Sequence, residues 1–122
     1  MPVVLIVDDD DSIREIAQLS LELVGGWQTL SADGGPSALE QAAQSRPDAI
    51  LLDVMMPVMD GIETFQRLRA DERTQHIPVI LVTAKRQADE RQVWDGLPIA
   101  GVIPKPFDPM TLAQQVSTIL GW

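Results

Sequence analysis

Five polar residues lie at or just past the ends of short apolar segments. They are two adjacent carboxylates, a third carboxylate, a hydroxyl and an ammonium: Asp8, Asp9, Asp53, Thr83 and Lys105. Carboxylates that are brought together repel one another, so such a group either binds a cation or holds raised pKa values. Oxygen ligands alone favour a hard divalent ion, and Mg²⁺ typically takes one or two carboxylates, keeps several waters and admits a phosphate oxygen. One carboxylate would then remain free as a nucleophile, with Thr83 and Lys105 available to hold a phosphoryl group.

Alternating strand-like and helix-like segments must position these residues. Strands are predicted at 3–7, 27–31, 49–52, 77–82 and 101–103, and helices at about 12–24, 36–45, 62–71, 88–94 and 109–120. Short continuous apolar runs are typical of strands buried on both faces. The alternation predicts an α/β fold with a five-stranded parallel sheet between two helical layers. All strands of such a sheet end at one edge, which is where its ligands bind.

Local signals mark the ends of the predicted helices. Ser12–Glu15 fits a capping box, with Asp11 as a rival N-cap for the first helix. Gly25 and Gly26 predict the end of that helix. For the last helix, Asp108 is the predicted N-cap and Pro109 the first residue.

Composition and charge exclude several classes of protein. The chain has 122 residues, 18 of them acidic and 9 basic, for a net charge of −9. So acidic a chain is a poor direct ligand for nucleic acid, and the absence of cysteine excludes disulfides and thiolate chemistry. No apolar run approaches a membrane span, and no signal peptide is recognisable. We therefore expect one cytoplasmic domain over residues 1–122 that contacts neither nucleic acid nor membrane.

The chain resembles the receiver domain of bacterial two-component response regulators, of the chemotaxis-regulator type, over essentially its whole length. The matching segments occur in that family's order and spacing: Val7–Asp9, Leu52–Pro57 with Met59–Gly61, Val82–Ala84, and Lys105–Phe107. The resemblance implies a doubly wound (βα)5 flavodoxin-like three-layer sandwich with strand order 2-1-3-4-5.

The resemblance also implies roles in a phosphorelay. Asp53 would accept a phosphoryl group from a sensor histidine kinase or a histidine phosphotransfer protein, and the chain would then switch its binding to a downstream protein or output domain. Thr83 and Lys105 would contact the phosphoryl oxygens, and the peptide between Lys105 and Pro106 is expected to be cis. Such a receiver promotes only its own phosphorylation and dephosphorylation.

A Mg²⁺ site is implied by the same resemblance. Asp8 and Asp9 would serve the ion, Asp9 more directly, and Asp53 and the main-chain carbonyl of Met55 would be the other protein ligands.

Three features depart from the family pattern, and one is the apolar stretch Leu97–Ala100, which could face a partner. Val102 stands where relatives often carry an aromatic residue, so an aromatic flip cannot accompany movement of Thr83. Met55 and Lys85 lie two residues after Asp53 and Thr83. Neither side chain can orient a water and accept its proton, which predicts slow self-dephosphorylation.

Three other functions are alternatives for this sequence. A phosphatase with an aspartyl nucleophile needs a general acid two residues later, where this chain has Met55. A flavin binder needs hydroxyls and amides in the loop after the first strand, where this chain has four aspartates at 8–11. A phosphorylation-independent interaction module on the same fold is the third alternative.

Interaction surfaces are predicted on the fourth helix. Trp94 in that helix either packs on the core or stands exposed as an anchor for a partner. The resemblance further implies a possible homodimer through the face formed by this helix, the fifth strand and the last helix.

Overall fold

A computed structural model describes residues 2–84 and 96–122 of the chain. Its strands are β1 (Val3–Val7), β2 (Gln28–Ala32), β3 (Ala49–Asp53), β4 (Val79–Ala84) and β5 (Gly101–Lys105). Its helices are α1 (Asp11–Leu23), α2 (Gly35–Ser45), α3 (Gly61–Ala70) and α4 (Leu112–Leu120). The helix predicted at 88–94, with Trp94 and its share of the dimer face, and Lys85 lie outside the described residues.

The five strands are parallel and form one sheet in the order β2-β1-β3-β4-β5. Alternate residues of the central strands point to opposite faces, which is the period of a strand. Leu5 and Leu81 therefore enter one apolar cluster, and Val4 and Ile80 enter the other. Burial on both faces explains why these strands read as continuous apolar runs.

Within residues 2–84 and 96–122, two helices pack on each face of the sheet. Ala17 of α1 and Leu112 of α4 belong to the cluster on one face, while Ala38 of α2 and Phe65 of α3 belong to the cluster on the other. This arrangement confirms the predicted doubly wound α/β fold and its strand order. None of the helices in the described part of the chain is long and apolar enough to cross a membrane.

The N-cap predicted for α1 was wrong by one or two residues. The cap is Asp10, whose carboxylate accepts hydrogen bonds from the main-chain N–H groups of Ser12 (2.9 Å) and Ile13 (3.2 Å). An aspartate caps as well as a serine, so a run of four aspartates before Ser12 leaves the choice to backbone geometry.

The start predicted for the last helix was also wrong. Asp108 holds a turn instead, because its carboxylate accepts a hydrogen bond from the N–H of Met110 at 2.8 Å. Its carbonyl accepts from the N–H groups of Thr111 and Leu112, and α4 begins at Leu112 with Thr111 as its N-cap. Residues 109–111, which were expected to form the first turn of the helix, therefore lie in this turn instead.

Candidate functional site

Three strands bring their last residues to the same edge of the sheet. Asp53 is the final residue of β3 and pairs with Val82, so Thr83 of β4 extends just beyond it. Lys105 is the final residue of β5 and pairs with Ala84. These three strands therefore end one or two residues later than predicted. Their polar residues are held by the hydrogen bonds of the sheet and do not lie in loops.

Lys105 bridges two buried carboxylates at this edge. Its Nζ lies 2.9 Å from Oδ2 of Asp8 and 3.1 Å from Oδ1 of Asp53. The side chains of Asp8 and Asp53 are only 5% and 6% exposed, and that of Lys105 is 19% exposed. The predicted convergence of these residues is thus present in the structure, with one ammonium facing two carboxylates.

The charges at this edge do not balance, and this imbalance shifts the pKa values of Asp53 and Lys105. Burial and the nearby charge of Asp8 raise the pKa of Asp53, and the contributions of Lys105 and of the Met55 main chain, which lower it, do not cancel them. Burial would lower the pKa of Lys105, but its hydrogen bonds to and attraction by Asp8 and Asp53 raise it. The site therefore has one carboxylate more than its ammonium can neutralise.

A third carboxylate completes a group with the spacing of a cation site. Asp8, Asp9 and Asp53 each offer one oxygen, and these three oxygens lie within 4.8 Å of one another. Asp9 is exposed while the other two are buried, so the group opens to solvent on one side. An oxygen-only set with excess negative charge and an open side fits Mg²⁺, which retains waters when bound.

Asp8 is fixed from three directions. Its Oδ1 accepts a hydrogen bond from the N–H of Asp10 at 2.9 Å, and its Oδ2 accepts from Lys105. Its main-chain carbonyl accepts from Nη1 of Arg14 at 2.8 Å. Arg14 was not among the predicted site residues, although it is the one cation in an acidic segment that begins at Asp8.

The loop between β3 and α3 passes close to Asp53. A methyl group at Gly61 would lie 2.3 Å from the carbonyl oxygen of Asp53, so only glycine allows α3 to begin there. Within the loop, the N–H of Met59 donates to the carbonyl of Pro57 at 2.7 Å, and Val58 between them has a φ of 69°. The N-cap of α3 is Asp60, which accepts from the N–H of Glu63 at 2.8 Å.

Thr83 and Met55 occupy contrasting places beside Asp53. Thr83 is 4% exposed, and its hydroxyl has no hydrogen-bond partner among residues 2–84 and 96–122. Met55 follows Asp53 by two residues and is 67% exposed. Val102 of β5 is half-buried against the core, and the Lys105–Pro106 peptide is cis as expected.

Comparison with known proteins identifies the family. Residues 4–117 match the model of the response regulator receiver domain. The chain is 37% identical over 120 residues to RpaA of Synechocystis sp., a DNA-binding dual master transcriptional regulator, covering 98% of this chain and 49% of that protein. It is 39% identical over 119 residues to PhoB of Pseudomonas aeruginosa, a phosphate regulon transcriptional regulatory protein, covering 96% and 51%.

Solved structures show the same likeness. The chemotaxis protein CheY4 of Vibrio cholerae superposes with a TM-score of 0.89 at 32% identity, covering 98% of both chains. The receiver domain of the sensor histidine kinase PA1611 of Pseudomonas aeruginosa, which has a magnesium ion coordinated in its active site cleft, superposes with a TM-score of 0.87 at 26% identity, covering 99% of this chain and 98% of that one.

The chain spans about half the length of the curated relatives it matches. The likeness therefore concerns one module that those proteins share. Because the family model matches nearly the whole chain, this protein belongs to the family of response regulator receiver domains, which act in two-component signal transduction.

Proposed function

We propose that Asp53 is the phosphoacceptor of this receiver domain. The observation that carries the proposal is the placement of Asp53, buried at a strand end, beside the ammonium of Lys105 and close to the carboxylates of Asp8 and Asp9. A carboxylate nucleophile needs its charge, and that of the incoming phosphate, offset by cations at fixed positions.

The reaction is transfer of a phosphoryl group from a phosphohistidine. An oxygen of Asp53 forms a bond to phosphorus while the bond between phosphorus and the imidazole nitrogen breaks, and that nitrogen leaves with the electron pair. Phosphoryl transfer depends chiefly on alignment and charge neutralisation. Lys105 would contact an oxygen of the transferred group, for which its present position against Asp53 is suitable.

Asp8, Asp9 and Asp53 would hold Mg²⁺, with the main-chain carbonyl of Met55 as the remaining protein ligand. The ion would supply neutralisation of the carboxylate and phosphate charges. Two observations support this assignment. The three carboxylate oxygens lie close together, and Lys105 does not neutralise all of their negative charge.

Thr83 would respond to phosphorylation of Asp53. A phosphoryl group on Asp53 adds about −1.5 to −2 charge and several acceptor oxygens. The hydroxyl of Thr83, buried and without a partner among the described residues, could donate to one of them. Movement of Thr83 would then carry the end of β4 with it, and a downstream protein or output domain would bind the altered surface.

The donor would be a sensor histidine kinase or a histidine phosphotransfer protein. We propose that the chain does not turn over separate phosphate esters. Support comes from Met55, whose exposed thioether stands where an aspartyl phosphatase needs a general acid.

Labelling with acetyl phosphate in Mg²⁺, followed by intact-mass measurement, tests the proposal. Wild type should gain one phosphoryl adduct, and Asp53→Asn should gain none. The matched control is Asp10→Asn, because asparagine caps a helix as well as aspartate does, so this variant should still be labelled. Labelling that survives Asp53→Asn would place the phosphoacceptor elsewhere. An unlabelled wild type would favour the phosphorylation-independent interaction module.

A further inference from the structure

We propose that Arg14 is a positioning residue for the cation site, which it serves by fixing the peptide that joins Asp8 to Asp9. The inference rests on the proposed function, since it concerns how that site is held in shape. Arg14 lies in α1, and its guanidinium donates to the main-chain carbonyl of Asp8 rather than to the carboxylate of a proposed cation ligand.

The guanidinium of Arg14 makes two contacts at once. Nη1 donates to the carbonyl of Asp8 at 2.8 Å, and Nη2 donates to Oδ1 of Asp11. The side chain of Arg14 is 18% exposed, whereas that of Asp11 is 87% exposed. The ion pair with Asp11 is therefore screened by solvent and contributes little by itself, so the contact to the Asp8 carbonyl is the one that restrains structure.

The orientation of that carbonyl sets the direction of Asp9. One peptide plane contains the carbonyl of Asp8 and the N–H of Asp9, and rotating one turns the other. No residue in 2–84 or 96–122 donates a hydrogen bond to the carboxylate of Asp9. The backbone that precedes Asp9 is thus what aims its side chain toward Asp8 and Asp53, with which it forms the three-oxygen group.

A positioning role and a purely electrostatic role predict opposite effects on cation binding. Arg14 is a cation beside a cluster of carboxylates, so loss of its charge alone should strengthen the binding of a divalent ion. Loss of its hydrogen bond to the Asp8 carbonyl should weaken the binding of the cation, because residues that orient metal ligands typically contribute 10- to 100-fold in affinity. Arg14→Lys separates the two roles, since it keeps the charge but loses the fork that reaches both acceptors.

The experiment measures the affinity of the purified chain for Mn²⁺ by electron paramagnetic resonance, with Mg²⁺ added as a competitor. We expect Arg14→Lys to bind Mn²⁺ about tenfold more weakly than wild type. The control Asp11→Asn removes the exposed ion pair but not the contact to Asp8, and it should stay within about twofold. Equal affinity of Arg14→Lys and wild type would overturn the proposal.

Two further measurements keep the outcome decisive. The free energy of unfolding in EDTA measures what Arg14 contributes to the stability of the fold without a cation. The increase in that free energy on adding Mg²⁺ measures binding at the site. A positioning role predicts that Arg14→Lys loses part of that extra stabilisation, and an unchanged Mg²⁺ increment would count against it. Arg14→Met that binds Mn²⁺ more tightly than wild type would show an electrostatic role only. Failure of wild type to bind Mn²⁺ would contradict the proposed cation site itself, which is a different result.

Discussion

The Nζ atom of Lys105 lies 3.1 Å from Oδ1 of Asp53, yet the pKa of Asp53 is raised above its ordinary value. A single ammonium so close would normally lower that pKa. Burial and the charge of Asp8 outweigh it, because Lys105 is shared with Oδ2 of Asp8 at 2.9 Å. Burial and Asp8 therefore disfavour the charged form of Asp53 more than Lys105 favours it.

Neutralising Asp53 should stabilise the fold when no divalent cation is present. Its folded pKa lies above the ordinary 3.8, so the folded state binds the proton more tightly than the unfolded chain does. That contribution to stability is complete below the unfolded pKa and is lost as pH rises through the folded pKa. We therefore expect Asp53→Asn to have a higher free energy of unfolding than wild type at pH 7 in EDTA, with an advantage that shrinks on acidification.

Urea unfolding at several pH values in EDTA checks this expectation. The control is Glu40→Gln, which removes a carboxylate from the exposed surface of α2 and should leave the stability unchanged within about 0.5 kcal/mol. Addition of Mg²⁺ should stabilise wild type and not Asp53→Asn. A variant that is less stable than wild type at pH 7 would show that attraction to Lys105 outweighs burial.

Removing the hydroxyl of Thr83 should not weaken the resting fold. That hydroxyl is buried and makes no hydrogen bond within the described residues, so no bond is lost in Thr83→Val. Valine has nearly the same shape, and we expect the free energy of unfolding to rise by about 1 kcal/mol. A loss of more than about 1 kcal/mol would indicate a partner for the hydroxyl.

The same variant should respond less to phosphorylation. If Thr83 donates to the phosphoryl group, amide NMR shifts along β4 on phosphorylation should shrink in Thr83→Val. The matched control is Thr29→Val, because Thr29 lies in the edge strand β2 and away from the site. Full shifts in Thr83→Val would contradict the proposed readout.

The sequence pattern was sufficient to predict the parallel sheet and the edge at which the polar residues meet, whereas the strand order came from the family resemblance. Buried parallel strands appear as short continuous apolar runs between helical patterns, and the parallel topology then places Asp53, Thr83 and Lys105 at one edge. The chain also carried local signals for helix caps, but several acids were equally good candidates near Ser12. Which of them caps α1 depends on backbone geometry that tertiary packing sets.

Contacts between distant atoms were beyond sequence reasoning. Nothing in the spacing of Arg14 shows that its guanidinium reaches the carbonyl of Asp8, because a helical position gives a direction but no partner. The sharing of Lys105 between Asp8 and Asp53 likewise depends on how packing places the three side chains. The sequence located the residues, and the structure shows how their charges are distributed.

Gly61→Ala should disturb the site and the fold together. The added methyl group would lie 2.3 Å from the carbonyl oxygen of Asp53 and 2.8 Å from Cα of Val54, both backbone atoms that cannot move aside freely. We expect a loss of about 2–3 kcal/mol in the free energy of unfolding. Cation affinity should fall as well, because α3 would push against the strand end that carries Asp53.

Gly34→Ala is the matched control for this prediction. A methyl group at Gly34 would have no heavy atom within 4 Å, and its φ of −179° is extended backbone that any residue adopts. Gly34 also precedes a helix, as Gly61 begins one, so the two variants compare similar positions. Equal losses of stability in the two variants would show that contact with Asp53 is not the cause.

Met55 should make the phosphoryl group on Asp53 long-lived. Hydrolysis needs a water aligned with the phosphorus, and the exposed thioether of Met55 can neither orient that water by a strong hydrogen bond nor take its proton. Met55→Asn supplies an amide at the same place, and we expect it to speed loss of the label from isolated phosphoprotein in Mg²⁺ by up to about tenfold. Met110→Asn changes another exposed methionine, in the loop after β5, and should leave the rate unchanged. Because both variants exchange the same side chains, rapid loss from wild type, or equal acceleration by both substitutions, would show that Met55 does not govern the lifetime.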